Sequence, residues 1–139
     1  MIALRAVLLC ESIRIEVDGT LTLVGVCNER IVAPHDDGPI DGPIALRSLT
    51  VLVVVSGLRG LSSVSIRHAI RATEDPESRQ DLALHEHDPG TDEHNFIFPR
   101  PNLAFARPGA YTLDVHVAVT GNVLRASHPF IIERTPQRS

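Results

Sequence analysis

GAYTLDVHVAVTGNVLRASHPFIIE, residues 109–133, decides the fold. Tyr111, Leu113, Val115, Val117 and Val119 alternate with Thr112, Asp114, His116, Ala118 and Thr120. A period of two puts the apolar set on one face, which is the pattern of a half-buried β-strand. Thr120-Gly121-Asn122 supplies turn chemistry, and a second β-rich run, Val123 to Glu133, follows it.

The same grammar recurs upstream. Ile44 to Ser56 contains seven consecutive residues, Leu49 to Val55, that are β-branched or apolar on both faces; this reads as a central strand with Val53 in its buried middle. Val64, Ile66, His68 and Ile70 alternate with Ser65, Arg67, Ala69 and Arg71, a strand with one polar face. Asn95 to Phe98 and Asn102 to Phe105 read as short extended pieces, because Pro99, Pro101 and Pro108 forbid a helix there. Leu82 to Glu86 reads as one more short strand, and Ala33 to Pro43 as a loop. The expectation is an all-β, antiparallel β-sandwich of seven or eight strands, immunoglobulin-like or jelly-roll-like.

Near the N-terminus, Ile2 to Val17 and Thr20 to Asn28 form a hairpin around Val17-Asp18-Gly19. A two-residue Asp-Gly turn would set Ile15 opposite Thr22, mixing apolar and polar faces. A three-residue loop sets Ile15 opposite Leu21, Ile13 opposite Leu23 and Glu16 opposite Thr20, which keeps the faces consistent. That register puts Cys10 and Cys27 on opposite faces, so they do not bridge within the hairpin and read as small buried hydrophobes.

The 139 residues fit one domain, 1–139, with a tail over 134–139 expected to fray. At this length roughly 68% of the unfolded surface can be buried, so the core needs no staple. With no Trp and one Tyr, that core must be aliphatic. All 13 basic residues are Arg, which excludes Schiff-base, P-loop-Lys and Ser-Lys chemistry. The net charge of -4 argues against a nucleic-acid footprint. No apolar run reaches the roughly 18 residues of a membrane span. The apolar start lacks the basic region and cleavage site of a signal peptide, so the expected compartment is the cytoplasm.

Leu9-Cys10-Glu11-Ser12-Ile13-Arg14, leading to Gly19-Thr20-Leu21-Thr22-Leu23-Val24-Gly25-Val26, resembles the opening of a family of small bacterial β-sandwich proteins, a domain of unknown function. Pro108-Gly109-Ala110-Tyr111-Thr112-Leu113 is similar to the Gly-x-Tyr strand start those proteins share with many β-sandwich modules. The resemblance spans most of the chain and implies a sandwich. It brings no activity, cofactor or catalytic residue with it.

Charge is uneven: residues 74–94 hold eight of the 17 acids and one Arg. The plain reading is a solvated loop and edge. The sharper reading is a docking surface, with Asp88, Asp92 and Glu93 as its contact residues. The same stretch offers a weak metal set: His85 and His87, two apart on an extended segment, with Glu93 or His94 completing it. His85-Glu86-His87 is similar to the His-x-His part of the cupin metal motif, but the spacing to Glu93 and the absence of flanking glycines depart from it. His116 and His128 read as a cross-strand polar pair. Gly57-Leu58-Arg59-Gly60 reads as a hairpin turn rather than a nucleic-acid clamp, and no Gly-x-Ser-x-Gly elbow frames Ser62, Ser63 or Ser65. The sequence points to a non-catalytic binding or assembly module using sandwich edges and end loops, with a protein partner or a second copy, no cofactor, no nucleic acid and no membrane. The competing expectation is a jelly-roll metal enzyme centred on His85 and His87.

Overall fold

A computed structural model describes residues 2–33, 38–60, 63–87, 92–119 and 121–135; within 82–87 the description is of the backbone alone. Nine strands run through the described residues: β1 (Ala3–Ile15), β2 (Leu21–Val26), β3 (Arg30–Ala33), β4 (Ile44–Ser56), β5 (Val64–Ala72), β6 (Asp75–His87), β7 (His94–Phe105), β8 (Gly109–Val119) and β9 (Asn122–Arg134). They form a four-stranded sheet, ordered β2-β1-β4-β7, and a five-stranded sheet, ordered β3-β9-β8-β5-β6. The protein is all-β, with two sheets, and no described residue is helical.

The count exceeds the expected seven or eight, and the reasons are local. β3 is four residues long and pairs parallel with β9, Ile31 opposite Ile132, an exception to the expected antiparallel order. β6 starts at Asp75, inside the acidic stretch expected as solvated loop and edge. It is an edge strand, exposed from Asp75 to Asp81, and charged residues are tolerated there because only one side of the backbone must pair. β7 runs continuously through Pro99 and Pro101, opposite Thr50 and Ser48. It too is an edge, so prolines that cannot donate to a second neighbour cost nothing on that side. The tail is held at its first two residues: Arg134 is buried and donates to the Gly42 and Pro43 carbonyls, and Thr135 N–H donates to Ala33 O.

The first hairpin has the expected register, with Ile13 opposite Leu23 and Ile15 opposite Leu21. Gly19 N–H donates to Glu16 O at 2.9 Å, and Glu16 N–H to Thr20 O at 2.8 Å, closing the loop with Gly19 at φ +85°. Cys10 lies opposite Val26, while Cys27 N–H donates to Leu9 O, so the two thiols take opposite faces and both are free.

The core lies between the sheets. β4 contributes Leu49, Val51, Val53 and Val55; β8 contributes Leu113, Val115 and Val117; none is more than 1% exposed. Phe105 of β7 meets Tyr111 of β8 edge-on, with centroids 4.9 Å apart, closing one end of the core. The Tyr111 hydroxyl then donates back to Arg107 O at 2.6 Å, across the corner that joins the two sheets.

Two substitutions test this account. Val53→Asp places an unpaired carboxylate in the fully buried layer and should cost several kcal/mol, on the order of the domain's whole stability. It should appear in thermal melting as loss of a cooperative transition. Tyr111→Phe removes only the corner hydrogen bond; the urea midpoint should fall by the equivalent of about 1 kcal/mol, with the ring packing kept.

Candidate functional site

The β5–β6 turn and the β7–β8 corner meet at one end of the sheets. Thr73 N–H donates to Ala110 O at 3.0 Å, and the Thr73 and Thr112 hydroxyls share a 2.9 Å hydrogen bond. Ser78 Oγ accepts from Ala72 N–H at 2.8 Å and donates to Asp75 O at 2.6 Å, so the turn is braced from inside. Between turn and corner opens a cleft of about 520 Å³. Its floor is Ile70, Ala72, Phe105 and Tyr111; its rim carries Arg71, Asp75, Ser78, Gln80 and Arg107. A smaller hollow of about 230 Å³ shares Ala72, Asp75, Arg107 and Tyr111 and adds Glu74 to the rim.

The two rim arginines differ. Arg71 is committed: its Nε donates to Asp114 at 2.8 Å and its Nη1 to Thr73 O at 3.3 Å. Burial of Asp114 opposes its ionisation, but hydrogen bonds from Arg71 and Ser127 outweigh that and hold its carboxyl below the usual range. Arg107 is exposed and forms no ion pair among the described residues. With Asp75 and Glu74 exposed on the opposite lip, the rim offers both signs of charge around an apolar, aromatic floor.

The residues singled out in the sequence lie elsewhere. The backbone sets His85 opposite Ile66 and His87 opposite Val64 on β5; their side chains, and Asp88 altogether, are outside the described residues. Asp92 and Glu93 are exposed, and the Asp92 carbonyl accepts from Leu58 N–H at 2.9 Å. His94 packs its ring 4.6 Å from that of Phe96. Among the described residues no three His, Cys, Asp or Glu side chains gather as a metal would require. His116 and His128 are not partners: His116 lies opposite Arg125, and His128 opposite Leu113, where its Nε2 meets the Asn28 carbonyl. A second hollow of about 270 Å³, lined in part by Glu11, Gly25, Cys27 and Ser48, lies beside the first hairpin. Gly25 has φ +65°, and a Cβ there would stand 3.0 Å from Glu11 Cβ, so a side chain at this position is strained and crowds Glu11.

What the sequence did not reveal is the cleft. Gly-x-Tyr marked the strand start, but Phe105 and Ile70 join Tyr111 only through the stacking of two sheets.

No protein-family model and no curated protein matches the chain. Among solved structures, the chain is similar to the alkylpurine DNA glycosylase AlkC of Pseudomonas fluorescens, bound to DNA containing an abasic site analog. Identity is 13%, the TM-score 0.41, and the match covers 73% of this chain and 27% of that one, so the chain spans about a quarter of that protein's length. The matched structure holds DNA. Beside this DNA-bound neighbour, the expectation of a protein-binding or assembly module from which nucleic acid is excluded, with its alternative of a jelly-roll metal enzyme, finds no support and is withdrawn. Neither is carried forward, and a likeness of this size puts no activity in their place. No helix among the described residues is long and apolar enough to cross a membrane.

The thiols provide a test of the local geometry. Burial, with lesser contributions from Cys10 and Glu11, pushes the Cys27 thiol up to about 11, against an ordinary value of 9.0. Alkylation by iodoacetamide at neutral pH should therefore be about a hundredfold slower than for an exposed cysteine, because at fixed pH the thiolate fraction falls tenfold for each unit by which the pKa rises. Mass spectrometry of the native chain over time measures this, with the urea-unfolded chain as the fast control.

Proposed function

We propose that the chain is an immunoglobulin-like sandwich that binds a small amphipathic ligand in the cleft beside Tyr111. Strand order supports the fold reading. In chain order β1, β4, β5, β6, β7, β8 and β9 take the places of strands A, B, C, C′, E, F and G: A-B-E in one sheet, G-F-C-C′ in the other. Tyr111 stands at the start of the F-like strand, and its hydroxyl bonds four residues back, as a tyrosine corner does. Membership of the small bacterial family that the sequence resembles belongs to the same proposal. So does a cytoplasmic setting, for which the two free thiols speak.

The observation that carries the ligand reading is the cleft itself. A hollow of this size, with an apolar and aromatic floor and a few fixed polar groups, has the form of small-molecule sites. The rim selects the ligand class. Arg107 can pair with a carboxylate and Asp75 with an ammonium group, so an aromatic zwitterion fills both lips and the floor.

L-phenylalanine is the probe, titrated against the ¹⁵N-labelled full chain by NMR. Ala72, Ala104 and Tyr111 amides should shift together, and Arg107→Glu should weaken binding at least fivefold without changing the melting temperature. Phenylacetate and phenethylamine, each with half of the charges, should bind more weakly than the zwitterion. Shifts scattered over both sheets, or affinity unaffected by Arg107→Glu, refute the reading.

A further inference from the structure

His68 lies on the core face of β5 together with Val64, Ile66 and Ile70 and is 0% exposed. Its Nε2 lies 3.0 Å from Arg100 Nε, on β7 of the other sheet. A guanidinium nitrogen only donates, so His68 Nε2 accepts and the ring proton sits on Nδ1. Nδ1 is buried and has no hydrogen-bond partner among the described residues. The ring is held instead by packing, 4.6 Å from that of Phe98, and the Arg100 guanidinium stands 5.9 Å from the same Phe98 ring. One aromatic ring and one cation thus flank a single accepting lone pair that joins the sheets.

We propose that the His68–Arg100 hydrogen bond is an acid-released latch: it ties the two sheets across the core while the imidazole is neutral, and protonation breaks it. A proton on Nε2 would point N–H at N–H and set two cations side by side in an apolar layer. Little nearby relieves this. The positions opposite His68 are Ala83 on β6 and Val115 on β8. Asp81 and Asp114 take register with Ala69, on the outer face, and His116 with Arg67, also outside. The nearest other titratable positions on β6 are His85, opposite Ile66, and Glu86, opposite Ser65. On β4, the residue opposite Arg100 is Leu49. On β7 the other titratable residue is His94, opposite Val55 and packed on Phe96. Among the described residues, Arg100 is the charged group bonded to the ring.

Burial first, and the Arg100 charge second, push the imidazole down to about 4, against an ordinary 6.5. The unfolded chain therefore takes up this proton at a higher pH than the folded chain. The contribution of the neutral His68 ring to stability is fully present above about pH 6.5 and is lost as pH falls toward 4. The gap corresponds to roughly 300-fold in the folding equilibrium.

Urea unfolding of the full chain at pH 7, 6, 5 and 4.5 tests the latch. Wild type should lose stability steeply through this window, while His68→Phe, which keeps an aromatic ring against Phe98 and cannot be protonated, should lose most of that slope. An equal slope in the two proteins overturns the proposal. Should His68→Phe fail to fold, the ring titration of His68 followed by NMR in the wild type decides: a midpoint near 6.5 in a still-folded spectrum overturns it. Arg100→Gln gives the signature that a merely structural role would not. Its carboxamide can donate to the neutral ring and accept from the charged one, so the His68 midpoint should rise by a pH unit or more; an unmoved midpoint overturns the part assigned to Arg100.

Discussion

Every other feature depends on β4 being buried on both faces. Val51, Val53 and Val55 face the second sheet, yet Thr50 and Leu52, on the opposite face, are also no more than 4% exposed. The outer face is covered sideways, by register: Leu52 stands between Leu8 of β1 and Ile97 of β7, and Thr50 between Cys10 and Pro99. A strand that is apolar on both faces needs a neighbour on each edge and a layer against at least one face. β1 and β7 meet the first need and the five-stranded sheet meets the second, which fixes the centre of the first sheet and the position of the core.

The parts that could be read in the sequence were those where one local rule sufficed. The first hairpin's register followed from pleat and turn chemistry, because a shift of one residue would have exchanged the faces of Ile13 and Leu23. The alternation Val64, Ile66, His68, Ile70 already put the histidine on the buried face. What escaped were features set by a neighbour. β6 and β7 carry residues that a strand's interior rejects, acids in one and prolines in the other, and each is a strand because it lies at an edge. β3 pairs in parallel with a strand about a hundred residues away, which no local pattern announces. The cleft and Arg100 are of the same kind. Both depend on how the two sheets are stacked, and the prolines flanking Arg100 told only that no helix forms there, with no hint that the arginine reaches the other sheet.

The two partly buried arginines show how surroundings decide what an ion pair can do. Arg71 pairs with Asp114 on the outer face of the second sheet, with water close by, and Ser127 gives the carboxylate a second donor. Such a pair adjusts to its setting, and its net contribution is small. Arg100, half-buried on its edge strand, reaches the core face and bonds an acceptor that is neutral only while it stays unprotonated. Exchanging a carboxylate for an imidazole avoids burying a second full charge. It also makes the bond between the sheets conditional on pH.

The cleft and the latch are neighbours along one strand. Ile70, in the cleft floor, is the next core-facing residue after His68 on β5, and on β7 Phe105 lines the cleft beyond Leu103, both on the edge strand that carries Arg100. The cleft walls come from both sheets, so its width is set by how closely β5 and β7 are held. Phe105 against Tyr111 fixes that distance at the cleft end by contact alone, which no change of pH alters. Deeper in the core the distance is held by a bond that acid removes. Loss of that bond should therefore loosen the interior first and reach the cleft only through the strands. A pH change that loosens the core while the Tyr111 corner persists is the expected order of events, since the corner is held by aromatic packing and a bond to the Arg107 carbonyl and not by the His68 ring.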